Sequence, residues 1–146
     1  MGEFYVKVGD QVEFAKTVGE SDVYLFAGIT GDFAGNHVNE EYMKDSSYGQ
    51  RIAHGALLVG FMSTTSSMMI ANCLTPDTDE TPVSLGYDRV RFIKPVFIGD
   101  TVTVSYAIAE IYLERRRWKS KITVTNQHGE TVGAAEHIMQ WVKNAA

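Results

Sequence analysis

An aspartate and a histidine stand five residues apart in Thr30-Gly31-Asp32-Phe33-Ala34-Gly35-Asn36-His37, a stretch punctuated by two glycines. A carboxylate beside an imidazole favours the charged ring and fixes its orientation. Asp32 and His37 brought together in this way could bind one water, remove a proton from it and return a proton elsewhere. Taken alone, a turn-capping aspartate and a surface histidine are the simpler reading of those letters.

A second stretch, Ile52-Ala53-His54-Gly55-Ala56, opens the longest uninterrupted segment of the chain. A helix start carries unsatisfied N–H groups and partial positive charge. Gly55 at that point would let a carbonyl oxygen approach the backbone N–H, a place for developing negative charge. His54 is a candidate substrate contact, although packing or capping is the simpler role because Gly55 already supplies the donor.

Charge is unevenly spread. The chain has a formal net charge of -5, yet residues 89–121 hold eight basic side chains against three acidic ones. An acidic chain of this kind is a poor nucleic-acid ligand, whereas a local basic patch suits a small phosphorylated handle. Arg89, Arg91 and Lys94 are the candidate contacts. Arg115-Arg116-Arg117 reads equally well as the solvated end of a hairpin. The single cysteine, Cys73, has no disulfide partner in the chain, and no Cys/His spacing resembles a zinc site, so neither metal nor separate cofactor is expected.

The elements that must hold these residues follow from periodicity. Ser21 or Asp22 can cap a helix with an apolar face of Val23, Phe26, Ala27 and Thr30, and Gly31 is its expected stop. A loop over 32–39 and a short helical turn around 40–44 come next. Ala56 to Leu74 is uncharged, with an apolar stripe at Leu57, Phe61, Thr64, Met68 and Ala71 and a small-residue stripe at Ala56, Gly60, Ser63 and Ser67. Pro76 stops it. Such a helix should be buried on nearly every side, its hydroxyls bonding back to the helix. Val102, Val104, Tyr106 and Ile108, then Trp118, Ser120, Ile122 and Val124, keep a period of two. With the turn Asn126-Gln127-His128-Gly129 and residues 131–142 they read as antiparallel hairpins. Val8-Gly9-Asp10 and Ile98-Gly99-Asp100 each precede an alternating segment and read as strand entries. A leading strand, helices, then antiparallel strands make an α+β domain spanning 1–146.

Phe26-Ala27-Gly28-Ile29-Thr30-Gly31-Asp32 with His37 and Asn39, then Ile52-Ala53-His54-Gly55, then Phe92-Ile93-Lys94-Pro95-Val96-Phe97-Ile98-Gly99-Asp100-Thr101-Val102, together resemble the (R)-specific enoyl-CoA hydratase, or MaoC-like dehydratase, family. The resemblance covers most of the chain. It implies a hot-dog fold, an antiparallel β-sheet wrapped around a long central helix, in a homodimer with acyl-thioester tunnels near the subunit interface. It implies reversible hydration of a trans-2-enoyl-CoA to the (R)-3-hydroxyacyl-CoA in fatty acid metabolism, with coenzyme A only as part of the substrate. By the same resemblance the catalytic pair is Asp32 and His37, the supporting hydroxyl is Ser63, and the backbone donor for the thioester carbonyl is Gly55. Ala34 and Gly35 depart from the family loop, which carries Asn-Pro there. A hot-dog acyl-CoA thioesterase, or a non-catalytic subunit binding acyl-CoA or acyl carrier protein, are the alternatives. No basic-then-apolar leader opens the chain, and a cytoplasmic protein without membrane or nucleic-acid partners is expected.

Overall fold

The computed structural model describes residues 4–146. Strand β1 (Gln11–Thr17) leads, followed by helices α1 (Glu20–Thr30), α2 (Gly35–Val38), α3 (Glu40–Met43) and α4 (Gly55–Cys73). Strands β2 (Glu80–Phe92), β3 (Thr101–Tyr112), β4 (Arg117–Thr125) and β5 (Thr131–Lys143) complete the chain. They form one antiparallel sheet in the order β1-β3-β4-β5-β2, and α4 packs chiefly on β1 and β3. This is the expected hot-dog arrangement.

The alternation in β3 and β4 has its physical counterpart. Val102, Val104, Tyr106 and Ile108 are buried, as are Trp118, Ser120, Ile122 and Val124. Side chains two apart share one face of a strand, and this face meets Leu58, Met62 and Met69 of α4 in one core. Full burial of a side chain such as Leu58 contributes about 2 kcal/mol.

The two Gly-Asp echoes are strand entries of one construction. Gly9 and Gly99 take φ of 95° and 99°, while the carboxylates of Asp10 and Asp100 accept from the N–H of Lys7 and Phe97, three residues back. Each aspartate closes a turn that glycine permits.

Several expectations change. The cap of α1 is Gly19, not Ser21 or Asp22. Asp22 lies inside the first turn and reaches back to the Gly19 N–H at 2.8 Å. The 32–39 loop contains the single helical turn α2, and β2 is a thirteen-residue strand that the alternation does not announce. Helix α4, at 19 uncharged residues, has the length and composition of a bilayer span. It is instead buried along one side, at Leu57, Leu58, Phe61, Met62, Thr65, Ser66 and Met69. The expected apolar stripe is therefore rotated: Ala71 is exposed, and so are Ala56, Gly60, Ser63 and Ser67. Five strands cover only one side of a helix, so the small-residue side stays open in a single chain. The hydroxyl expectation holds, since Thr65 and Ser66 donate to the carbonyls of Met62 and Ser63 at 2.6 and 2.7 Å.

Candidate active site

The site is built where α1 ends and α4 begins. Gly31, in the left-handed region at φ 84°, closes α1 by bonding the Ala27 carbonyl, and this releases the chain into the Asp32 turn. There Asp32 Oδ1 accepts from the Ala34 N–H at 3.2 Å, so its carboxylate also caps its own turn. The α2 turn then carries His37 inward until it is 8% exposed.

His37 Nδ1 lies 2.8 Å from the carbonyl of Ile52. A carbonyl only accepts, so Nδ1 carries the proton and Nε2 is left for chemistry. His54 is 1% exposed and places Nε2 2.9 Å from the carbonyl of Asp32. The two imidazoles stack, with centroids 3.8 Å apart and planes at 27°. Donor atoms of Asp32, His37 and His54 all lie within 4.8 Å of one another, a separation that one water bridges with two ordinary hydrogen bonds. A metal ion fits less well. Imidazole lone pairs lie in the ring plane, and two stacked rings aim them side by side rather than at a common point about 2 Å away.

Beside the cluster is a cavity of about 300 Å³ lined by Asn36, His37, Tyr48, His54, Gly55, Leu58, Phe92 and Lys94, among others. Gly55 is the first residue of α4, so its N–H has no helical carbonyl to bond. A Cβ at Gly55 would come within 2.5 Å of the Phe92 ring. Glycine is thus demanded by a close approach as well as by access to the N–H. Asp32 is exposed and outside the lining, beside the cavity rather than in its wall.

Other candidates divide. Lys94 lines the cavity while pairing with Glu130 at 2.6 Å. Arg89 and Arg91 do not reach it. Arg89 sits on the β2 bulge at φ 53° with its side chain towards Glu136, and Arg91 folds onto the carbonyl of Val90. The register shift there turns them away. Ser63 is not among the residues lining this cavity. It lies eight residues beyond Gly55, roughly 12 Å along the helix, on the exposed side of α4. Arg115, Arg116 and Arg117 are at the β3–β4 hairpin end, where Arg116 pairs with Glu80 and Arg117 with Gln140.

One organising residue escaped the pattern reading. Arg51 is 7% exposed and ties α1 to α3, bonding Glu20, Tyr24 and Glu40. Burial alone would lower its pKa, but the bonds to Glu40 and Glu20 outweigh that and raise it. It fixes the segment that delivers Ile52 and His54. A lone arginine between polar residues carries no periodic signal. Asn36 and Tyr48 were missed for the same reason.

The MaoC-like domain model matches residues 4–134. An (R)-specific enoyl-CoA hydratase of Rhodospirillum rubrum is 36% identical over 121 residues, 82% of this chain and 78% of that protein. A 3-hydroxybutyryl-CoA dehydratase of Methylorubrum extorquens is 32% identical over 127 residues, covering 87% and 74%. Among solved structures, the unliganded R-hydratase of Pseudomonas aeruginosa superposes with a TM-score of 0.75 at 28% identity over 96% of this chain and 84% of that one. The (R)-hydratase of A. caviae does so with 0.81 at 21% identity over 92% and 96%, a likeness of fold.

Proposed function

The chain belongs to the MaoC-like domain family, and we propose that it catalyses the reversible, (R)-specific hydration of a trans-2-enoyl-CoA to a (R)-3-hydroxyacyl-CoA. The observation that carries this reading is the convergence of Asp32 and His37 within 4.8 Å, beside a cavity that Gly55 opens at the start of α4.

The enoyl thioester lies in that cavity with its carbonyl on the Gly55 N–H. This bond strengthens as charge moves onto oxygen in the enolate-like transition state, and one such donor is worth about 3 kcal/mol. Water held between Asp32 and the free Nε2 of His37 attacks Cβ. Its proton passes to the pair, and the pair returns one proton to Cα, so one water is added across the double bond. Lys94 meets the phosphate end of coenzyme A. No cofactor beyond the substrate's own coenzyme A is needed for these steps. The exposed small-residue side of α4 and the free edge of β2 are the surfaces a second copy would cover in a homodimer.

The test is hydration of crotonyl-CoA. Asp32→Asn and His37→Ala should each lower kcat about 10²- to 10⁴-fold in protein that still folds cooperatively. Near-normal turnover in either would remove the pair from the mechanism. Release of free coenzyme A from a saturated acyl-CoA, without hydration, would make the chain a thioesterase instead.

A further inference from the structure

We infer that His54 is a positioning residue, holding the Asp32 turn and the His37 ring in mutual register, rather than a contact to substrate. The inference rests on the hydration reading above.

The two histidines are anchored crosswise. His54 starts α4, yet its Nε2–H grips the carbonyl of Asp32 in the preceding loop at 2.9 Å. His37 belongs to that loop, yet its Nδ1–H grips the carbonyl of Ile52, two residues before His54, at 2.8 Å. Each segment therefore holds the other's backbone, and the stacked rings close the clasp at 3.8 Å. Phe26 packs on His54 from α1, with centroids 4.8 Å apart. Asp32 is in this way held from both ends, by His54 at its carbonyl and by the Ala34 N–H at its carboxylate.

Two simpler roles fit less well. His54 occupies the N-cap position of α4, but its side chain makes no capping bond. Mere packing would favour an apolar ring, because Nδ1 of His54 is buried with no partner among the described residues, an arrangement that costs stability. What a phenyl ring would lack is the N–H to Asp32.

Wild type, His54→Phe, His54→Gln and His54→Asn are compared for crotonyl-CoA hydration, melting temperature and backbone amide exchange. Phenylalanine keeps the ring without the donor, glutamine carries an N–H to the same reach, and asparagine falls short. The expected result for His54→Phe is kcat lowered about 100-fold, the scale of a misplaced reacting group, with KM changed by no more than about twofold. His54→Gln should recover most of that kcat, and the Ala34 amide should exchange faster in the phenylalanine and asparagine variants than in wild type or the glutamine variant. Wild-type kcat in His54→Phe, a raised KM at unchanged kcat, or equal activity in the glutamine and asparagine variants would each overturn the inference. If His54→Phe does not fold, the glutamine–asparagine comparison decides it. Should wild type fail to hydrate crotonyl-CoA, the hydration reading fails. Amide exchange at Ala34 then still reports whether His54 holds the turn, and unchanged exchange would overturn that too.

Discussion

The molecule buries histidines in two places and treats them differently. In the sheet, His137 is fully buried and both ring nitrogens are committed to side chains. Trp118 Nε1–H donates to the Tyr106 hydroxyl at 2.9 Å, and His137 shares hydrogen bonds of 2.7 Å with the Tyr106 hydroxyl through Nδ1 and with the Ser84 hydroxyl through Nε2. Burial pushes the His137 pKa down to about 4, and the ring stays neutral. His37 is anchored at one nitrogen only, by a backbone carbonyl, with the other left at a cavity. A buried histidine satisfied on both sides is structure, and one satisfied on a single side beside open space is available for chemistry.

The sharpest way to break this contrast is to delete each ring. His37→Ala should lower crotonyl-CoA turnover by about 10²- to 10⁴-fold in protein that still folds, at a stability cost of about 1–3 kcal/mol through the stranded Ile52 carbonyl. His137→Phe should affect stability alone: about 1–3 kcal/mol lost in denaturant melts, through the stranded hydroxyls of Tyr106 and Ser84, with kcat preserved. Equal effects from the two variants would erase the distinction. Arg51→Met should lie between them, costing about 2 kcal/mol through its lost charged hydrogen bonds and lowering kcat as the 51–54 segment loosens.

pH sharpens the comparison further. The unfolded chain protonates its histidine near pH 6.5, whereas folded His137 resists protonation until about pH 4. Stability from this residue is complete above pH 6.5 and declines as pH falls towards 4. A pH series of melts should show that slope in wild type and less of it in His137→Phe. The smallest effect is expected from Lys94→Ala, a several-fold higher KM for an acyl-CoA at low salt that fades as salt is added, with kcat intact.

Much of this was legible beforehand because it is local. Gly31 as the end of α1, the paired Gly-Asp strand entries and the inward faces of β3 and β4 each depend on a few neighbouring residues. The convergence of Asp32 with His37 was legible through the resemblance rather than through spacing. Ser63 shows what periodicity leaves open. Its place in the small-residue stripe was plain, but only the packing of α4 on the sheet put that stripe on the side left open in a single chain. Arg89 was misplaced by a bulge that no alternation reveals.

By itself the sequence determined most of the elements, β2 and the α2 turn apart, since hydrogen bonding, side-chain period and turn chemistry act within a few residues. It also supplied a carboxylate, an imidazole and a bare backbone N–H. Only the tertiary structure decided that the loop after α1 and the residues before α4 would clasp through two histidines. That depends on carbonyls 15 and 22 residues distant in the chain, and on Arg51 drawing two helices, α1 and α3, to one point. Long-range hydrogen bonds have no period, so nothing in the order of residues announces them.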